Sequence, residues 1–231
     1  MTDSASTRFR RTALSSAAAA GSNSTRTAPR FATGTLTALL GGLEPGAIAL
    51  ENALRVQRAE ALSVTDDLTQ LYNSRYLSQV LRRETKRASR SGRPLSLLFI
   101  DLDGFKAIND THGHLFGSRA LVEAAAVIRG SARETDIVAR FGGDEFAIIL
   151  PDSGGEGAFA VGARVRDRIA AHTFLSGDGL AIRLTASVGV ATLPDVAASA
   201  DELVQAADKA MYAVKDSGKN GIQAASAPAD N

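Results

Sequence analysis

Two adjacent glycines between two short apolar runs set the firmest limit on how this chain can fold. Ile137-Val138-Ala139 and Phe146-Ala147-Ile148-Ile149-Leu150 read as strands, and Gly142-Gly143 between them reads as a tight hairpin. Glycine tolerates the positive φ that such a turn demands, and without a Cβ it lets a ligand lie against the backbone. Two carboxylates follow at once, Asp144 and Glu145. A bare turn with adjacent acids suits a polyphosphate and its metal ion.

The surrounding sequence alternates in period. Helical spacing runs from Asn73 to Arg90, with Tyr76, Leu77, Val80 and Leu81 as its apolar positions, and recurs over Leu115–Arg129, Gly157–Ala171 and Asp201–Lys215. Ser199 is placed to cap the last of these, with Glu202 at the third helical position. Leu95–Leu102 and Leu184–Leu193 read as strands. Strands interleaved with helices, plus one hairpin, predict an α+β fold, an α/β sandwich with a central mixed sheet and helices packed on it. No repeat of about 20–50 residues is visible.

A length of 231 residues suffices for one well-buried domain with flanking segments. The formal charge of +1 provides no field that favours nucleic acid or an anionic membrane, so neither is expected as a partner. The absence of cysteine excludes disulfides, zinc thiolate sites and cysteine nucleophiles, and fits a reducing cytoplasm. No apolar run approaches the roughly 20 residues needed to span a bilayer. The longest, Leu36 to Leu50, is broken by Gly41, Gly42, Glu44, Pro45 and Gly46. Arg10-Arg11 faintly resembles a twin-arginine export signal, but the stretch after it is small and polar rather than apolar.

Four segments follow. Residues 1–35 are rich in Ser, Thr, Ala and Arg and cannot bury enough surface to offset ordering entropy, which predicts disorder. Residues 36–64 form a linker and a helix in which Ala47, Leu50, Leu54, Gln57, Ala61 and Val64 fall on a heptad seam. Gln57 interrupts that seam, leaving packing on the chain's own domain and pairing with a second chain as equal readings. Residues 65–223 hold the folded domain, and residues 224–231 form a small, polar tail expected to fray.

Asp101-Leu102-Asp103 ends the first long strand. Side chains alternate across a strand, so Asp101 and Asp103 share a face while Leu102 points away. If the hairpin pairs beside this strand, its acids meet Asp101 and offer oxygen ligands suited to Mg²⁺. An isolated Asp-x-Asp is ordinarily a pair of solvated loop acids; the second acidic pair on a Gly-Gly turn argues against that here.

Arg140-Phe141-Gly142-Gly143-Asp144-Glu145-Phe146 resembles the signature of the GGDEF family, the diguanylate cyclases. Asp66-Asp67-Leu68-Thr69-Gln70-Leu71-Tyr72-Asn73 resembles the segment that opens these domains. Asp101 to Asp110 resembles their strand-to-helix junction, and Gly113-His114-Leu115-Phe116-Gly117 follows in register. Ser187-Val188-Gly189-Val190-Ala191 resembles a late core strand, and Lys215-Asp216-Ser217-Gly218-Lys219-Asn220 the closing basic segment. The resemblance spans about residues 64–222. It implies a fold like that of nucleotidyl cyclases and polymerase palm domains. It also implies a reaction in which two GTP molecules, one per subunit of a homodimer, are joined into cyclic di-GMP with loss of two pyrophosphates.

Carried over position by position, the resemblance makes Asp101, Asp144 and the Leu102 carbonyl ligands of Mg²⁺ or Mn²⁺, two ions per site. Asp144 or Glu145 accepts the 3′-hydroxyl proton, with no choice made between them. Gly104, Phe105 and Lys106 open a helix whose N–H groups hold phosphate, with Lys215 and Lys219 as further phosphate contacts; taken singly, each lysine is a solvated surface charge. Gly142 and Gly143 leave room for the nucleotide. Asn109 and His114 face the base. His112 and His172 carry surface or packing roles only.

One position departs from the pattern. Directly after Gly117 the family has Asp; here it is Ser118. A carboxylate only accepts hydrogen bonds and so selects guanine N1–H and N2, whereas a hydroxyl accepts and donates and tolerates either purine. This resembles the hybrid, promiscuous branch that makes cyclic GMP-AMP, so ATP joins GTP as an expected substrate. Arg133-Glu134-Thr135-Asp136 matches the family's Arg-x-x-Asp inhibitory site for cyclic di-GMP, with Arg164 as a further arginine. Ala47–Leu54 resembles the last helix of GAF domains. The rival functional reading is a non-catalytic cyclic di-GMP receptor that uses Arg133 and Asp136 alone.

Overall fold

A computed structural model describes residues 48–53 and 63–226. The chain divides into two units, Met1–Arg58 and Ala59–Asn231. In the first, residues 48–53 are helical, with Ile48 and Leu50 exposed. The expected disorder of residues 1–35 and the seam positions Ala47, Leu54, Gln57 and Ala61 lie outside the described residues. Val64, the last seam position, is not helical: its carbonyl accepts from Asn73 N at 2.9 Å. The chain must turn here so that Asn73 can also bond the Ser63 and Thr65 carbonyls through Nδ2, at 2.9 and 3.2 Å.

The second unit runs β1 (Tyr72–Asn73), α1 (Ser74–Ser91), β2 (Leu95–Asp103), α2 (Phe105–His112), α3 (His114–Ser131), β3 (Ile137–Gly142), β4 (Glu145–Pro151), α4 (Gly155–Ala171), β5 (Thr185–Leu193), α5 (Ala200–Asp216) and β6 (Ile222–Ala224). One sheet takes the order β1-β3-β4-β2-β5-β6. The pairs β1/β3 and β5/β6 are parallel, and β3/β4, β4/β2 and β2/β5 are antiparallel. This is the mixed sheet of an α+β fold, as expected.

Strand β2 lies at the centre and is buried along its whole length. Both of its faces are covered, which is why it reads as a nearly continuous apolar run rather than an alternation. Leu95, Leu97 and Phe99 pack with Ala147, Ile149, Ala191 and Leu193 beneath α1 and α5. Leu98, Ile100 and Leu102 pack with Phe146, Ile148, Val188 and Val190 beneath the helices α2, α3 and α4 on the opposite face. Period two along β2 therefore dictates that Asp101 and Asp103 emerge on the α1/α5 side.

The helix ends follow from local chemistry. Asn73 Oδ1 accepts from Tyr76 N at 2.9 Å and caps α1. Ser199 Oγ accepts from Glu202 N at 3.2 Å and caps α5, while the Glu202 carboxylate reaches back to Ala198 N at 2.8 Å, a capping box that reaches one residue further out than usual. At the C-terminus the first residues of the expected tail are paired, and residues 227–231 lie outside the described residues. Ala224 belongs to β6, and Ala225 N donates to Val190 O at 2.7 Å, because parallel pairing uses the backbone and needs no large side chain. Among the described residues no helix is long and apolar enough to cross a membrane.

Candidate active site

Strands β3 and β4 form the expected hairpin, but its turn is displaced by one residue. Gly142 pairs with Glu145, so Gly143 and Asp144 occupy the turn and Gly142 ends β3. The register slips between Arg140 and Gly142, a bulge that re-aims the strand end. Gly143 alone of the two glycines has positive φ, at 37°. Register also delivers the acids to β2: Glu145 stands opposite Asp101, and Leu102 N donates to Asp144 O at 3.2 Å.

The end of β2, the start of α2, the turn and the end of α5 enclose a cavity of about 390 Å³. Asp101, Leu102, Asp103, Gly104, Phe105, Lys106, Asp144, Lys215 and Lys219 line it. All eight of the expected ligand and phosphate positions thus meet, with Asp144 among the carboxylates and Lys106 exposed at the first turn of α2. Lys215 Nζ lies 2.7 Å from Asp101 Oδ2. Burial pushes the Asp101 carboxyl up, and repulsion from Asp144 and Asp103 adds to this; Lys215 offsets only part of it. Glu145 is also pushed up, by burial and then by Asp101. Burial works against the Lys215 charge, but Asp101, Glu145 and Asp144 together hold its ammonium above the usual range.

Crowded carboxylates that repel one another are a fitting donor set for a hard divalent cation. Among the described residues no three acidic or histidine side chains converge into a complete metal site. Two acids beside a backbone carbonyl suit an ion that draws its other ligands from water and phosphate, as Mg²⁺ does.

The Asp-x-Asp pair divides its labour. Asp103 accepts from Ser187 Oγ at 2.7 Å through Oδ1, and from Thr185 Oγ1 at 2.8 Å and Asn220 N at 3.0 Å through Oδ2. A second support was invisible in the local pattern. Arg140 donates to Gly143 O through Nε at 3.0 Å and a terminal nitrogen at 2.8 Å. Its other terminal nitrogen contacts both oxygens of Asp66, at 3.3 and 3.2 Å. Burial alone would raise Asp66, but hydrogen bonds from Thr69 and the Arg140 guanidinium outweigh it and hold the carboxyl low. The only hint in the sequence was an arginine within the hairpin and an Asp-x-x-Thr turn upstream.

The positions expected to face the base lie apart from this cavity, on the α2–α3 pair. Asn109 is half-buried with Oδ1 against Gly117, where any Cβ would collide with it. Ser118 follows on α3 and lines a separate cavity of about 590 Å³ with Leu68, Leu115, Arg119 and Val122. His114 is exposed at the first turn of α3. On the far side of the hairpin, Asp136 is buried and accepts from Arg133 N at 2.7 Å. Arg133 is exposed. Arg164 donates to Ser131 O at 2.9 and 2.7 Å, which brings it to the same turn.

Residues 63–221 match the family described as "Diguanylate cyclase, GGDEF domain". The chain is similar to the response regulator PleD of Caulobacter vibrioides, 37% identical over 162 residues that make up 70% of this chain and 36% of PleD. It is likewise 37% identical to the diguanylate cyclase DosC of Escherichia coli K12 over 161 residues, 68% of this chain and 34% of DosC. The chain therefore spans about a third of the length of these relatives. The crystal structure of the coiled coil and GGDEF domain of DgcB from Caulobacter crescentus, in complex with c-di-GMP, superposes with a TM-score of 0.67 at 29% identity, covering 83% of this chain and 100% of that one. A match over most of the chain, carried by the same acidic turn that β2 and β4 bring to the cavity, makes this protein a member of the GGDEF family.

Proposed function

We propose that this chain condenses two GTP molecules into cyclic di-GMP with release of two pyrophosphates. The observation that carries the reading is the meeting of Asp101 and Asp144 at one cavity with the start of α2 and two lysines. Phosphoryl transfer asks little covalent help of a protein; it needs in-line positioning and neutralised charge. Backbone N–H groups from Gly104 to Lys106 and the Lys106, Lys215 and Lys219 ammoniums hold the phosphates. Asp101, Asp144 and the Leu102 carbonyl would hold two Mg²⁺ or Mn²⁺ ions, which would supply further neutralisation of phosphate charge. Each condensation forms one 3′-O–P bond and breaks one α–β anhydride. The hydroxyl proton passes to Asp144 or Glu145. One chain offers one such cavity among the described residues, so the two substrates meet across a homodimer. A reaction that consumes GTP belongs in the cytoplasm.

Ser118 supports a finer reading, in which ATP is admitted beside GTP and cyclic GMP-AMP is formed. Losing one bidentate base contact removes roughly 1–3 kcal/mol of discrimination. Incubation with GTP, ATP and Mg²⁺, followed by mass spectrometry, tests both readings. Mixed and guanine-only cyclic dinucleotides are expected, with Ser118→Asp shifting output to cyclic di-GMP. Cyclic di-GMP as sole wild-type product removes the finer reading; no cyclic dinucleotide at all removes the enzyme and leaves a cyclic di-GMP receptor. For product feedback, the exposed Arg133 guanidinium beside Asp136 and Arg164 binds cyclic di-GMP through phosphate and guanine edges. Arg133→Ala is expected to keep turnover and lose product inhibition, and retained inhibition refutes the site.

A further inference from the structure

Asp103 sits two residues from Asp101, on the same face of β2 and in the same cavity, yet all of its bonding is directed into the protein. It is 8% exposed. Both carboxylate oxygens are engaged, one by Ser187 Oγ and the other by Thr185 Oγ1 and Asn220 N. Thr185 is its direct partner across β5, and Ser187 is the partner of Asp101. A buried carboxylate is retained only when its lone pairs are satisfied, and here hydroxyls from the neighbouring strand do most of that. The third donor comes from elsewhere, a backbone N–H that follows α5.

That N–H belongs to an unusual turn. After α5 the chain passes through Gly218, Lys219 and Asn220 at φ of 118°, 66° and 46°, and then enters β6. Lysine rarely occupies the left-handed region, because its Cβ crowds the backbone there. The turn is held at one end by Lys219 N donating to Val214 O at 3.0 Å and at the other by Val188 N donating to Gly221 O at 3.0 Å. Between these two, Asn220 N to Asp103 at 3.0 Å is the bond that fixes the strained residues against the cavity wall. Lys219 lines that cavity.

We propose that Asp103 is a positioning residue: it holds the 217–220 turn by its backbone so that Lys219 is presented to the nucleotide phosphates. The inference rests on Lys219 contacting phosphate, as proposed above. A carboxylate that already accepts from Ser187, Thr185 and Asn220 keeps one lone pair of about four and is a poor metal ligand, so the second acid of the Asp-x-Asp pair acts on the substrate through the loop.

The test is a double-mutant cycle of Asp103→Asn and Lys219→Ala, read as affinity for a non-hydrolysable GTP analogue with Mg²⁺ and as KM and kcat for GTP. Asparagine keeps the shape of Asp103 and one acceptor oxygen, which protects folding. Each single variant is expected to weaken nucleotide binding on the order of tenfold, the scale of one charged hydrogen bond, and to raise KM more than it lowers kcat. The double variant is expected to bind no worse than Lys219→Ala alone. Additive losses overturn the proposal. Equal binding by Lys219→Ala and wild type overturns it too, by removing the phosphate contact, while loss of turnover in Asp101→Asn would still support the wider reading of the site. Amide exchange on the wild-type chain gives a check that needs no variant: Asn220 N–H is expected to be protected like the strand amides of β5, and free exchange there contradicts the account.

Discussion

At the residue scale, the site is an arrangement of charge held at a cost to the fold. Asp101, buried, and Glu145, half-buried, face one another across β2 and β4, and both carboxyls are pushed up. For Glu145 the sign follows directly. A carboxyl whose folded pKa is raised binds its proton more tightly folded than unfolded, so stability falls as pH rises through that range. The penalty is absent below about pH 4, where both states are protonated, and complete above the folded value. Glu145→Gln is therefore expected to melt at a higher temperature than wild type near pH 7.5 without divalent metal, with the difference closing towards pH 4. The same variant is expected to lose turnover by about a hundredfold or more, as removal of one preorganised charge does. Melting curves across pH check the first half, and a lower melting temperature at pH 7.5 contradicts it. Asp101 differs because Lys215 already sits on it at 2.7 Å; removing that carboxylate leaves a half-buried ammonium short of its partner, and the stability gain seen at Glu145 is not expected there.

At the element scale, the hairpin is a two-point fixture. Its β4 side is fixed by register with β2, and its turn is tied by Arg140 to Gly143 O and to Asp66. Arg140→Ala is expected to destabilise the domain by about 1 kcal/mol through loss of its bonds to the half-buried Asp66 and the exposed Gly143 carbonyl. Turnover is expected to fall as well, although Arg140 does not line the cavity. Arg140→Lys does not restore either property, since an ammonium cannot reproduce the fork; urea titration and initial rates report the two effects. This bond also marks where reading the sequence stopped. The hairpin, α1, α3, α4, α5 and β2 were legible because each carries its own period or cap. The turn shift from Gly142-Gly143 to Gly143-Asp144 was not, since a bulge at Arg140 is set by pairing rather than by composition. The Asp66–Arg140 bridge joins residues 74 apart, and no local pattern reports such a contact. Strands β1 and β6 have only two and three residues, too few to show a period, and Asp103 looked like a twin of Asp101 until Ser187, Thr185 and Asn220 were seen to occupy it.

At the scale of the whole molecule, the fold gathers the groups proposed to contact phosphate at one end of β2, with one such cavity in the described part of the chain. The proposed product has two equivalent phosphodiester linkages, and on that proposal two cavities face each other, most simply across a two-fold dimer. Mixing wild type with an equal amount of Asp101→Asn chain, to equilibrium, is expected to lower the activity per wild-type chain by about half, the share trapped in mixed dimers of a two-fold assembly. Unchanged activity on mixing contradicts a shared reaction. The family and the pairing of the hairpin beside β2 were legible because the motifs fall on the strand ends that the sheet gathers. The separation between the phosphate cavity and the Asn109 and Ser118 positions was not, because it depends on how α2 and α3 pack at Gly117. The most direct measurement is the ratio of pyrophosphate to cyclic product from GTP and Mg²⁺, taken with wild type and with Asp101→Asn. The account predicts two pyrophosphates for each cyclic di-GMP from wild type and neither product from the variant; one pyrophosphate per cyclic mononucleotide, or equal output from both chains, would contradict it.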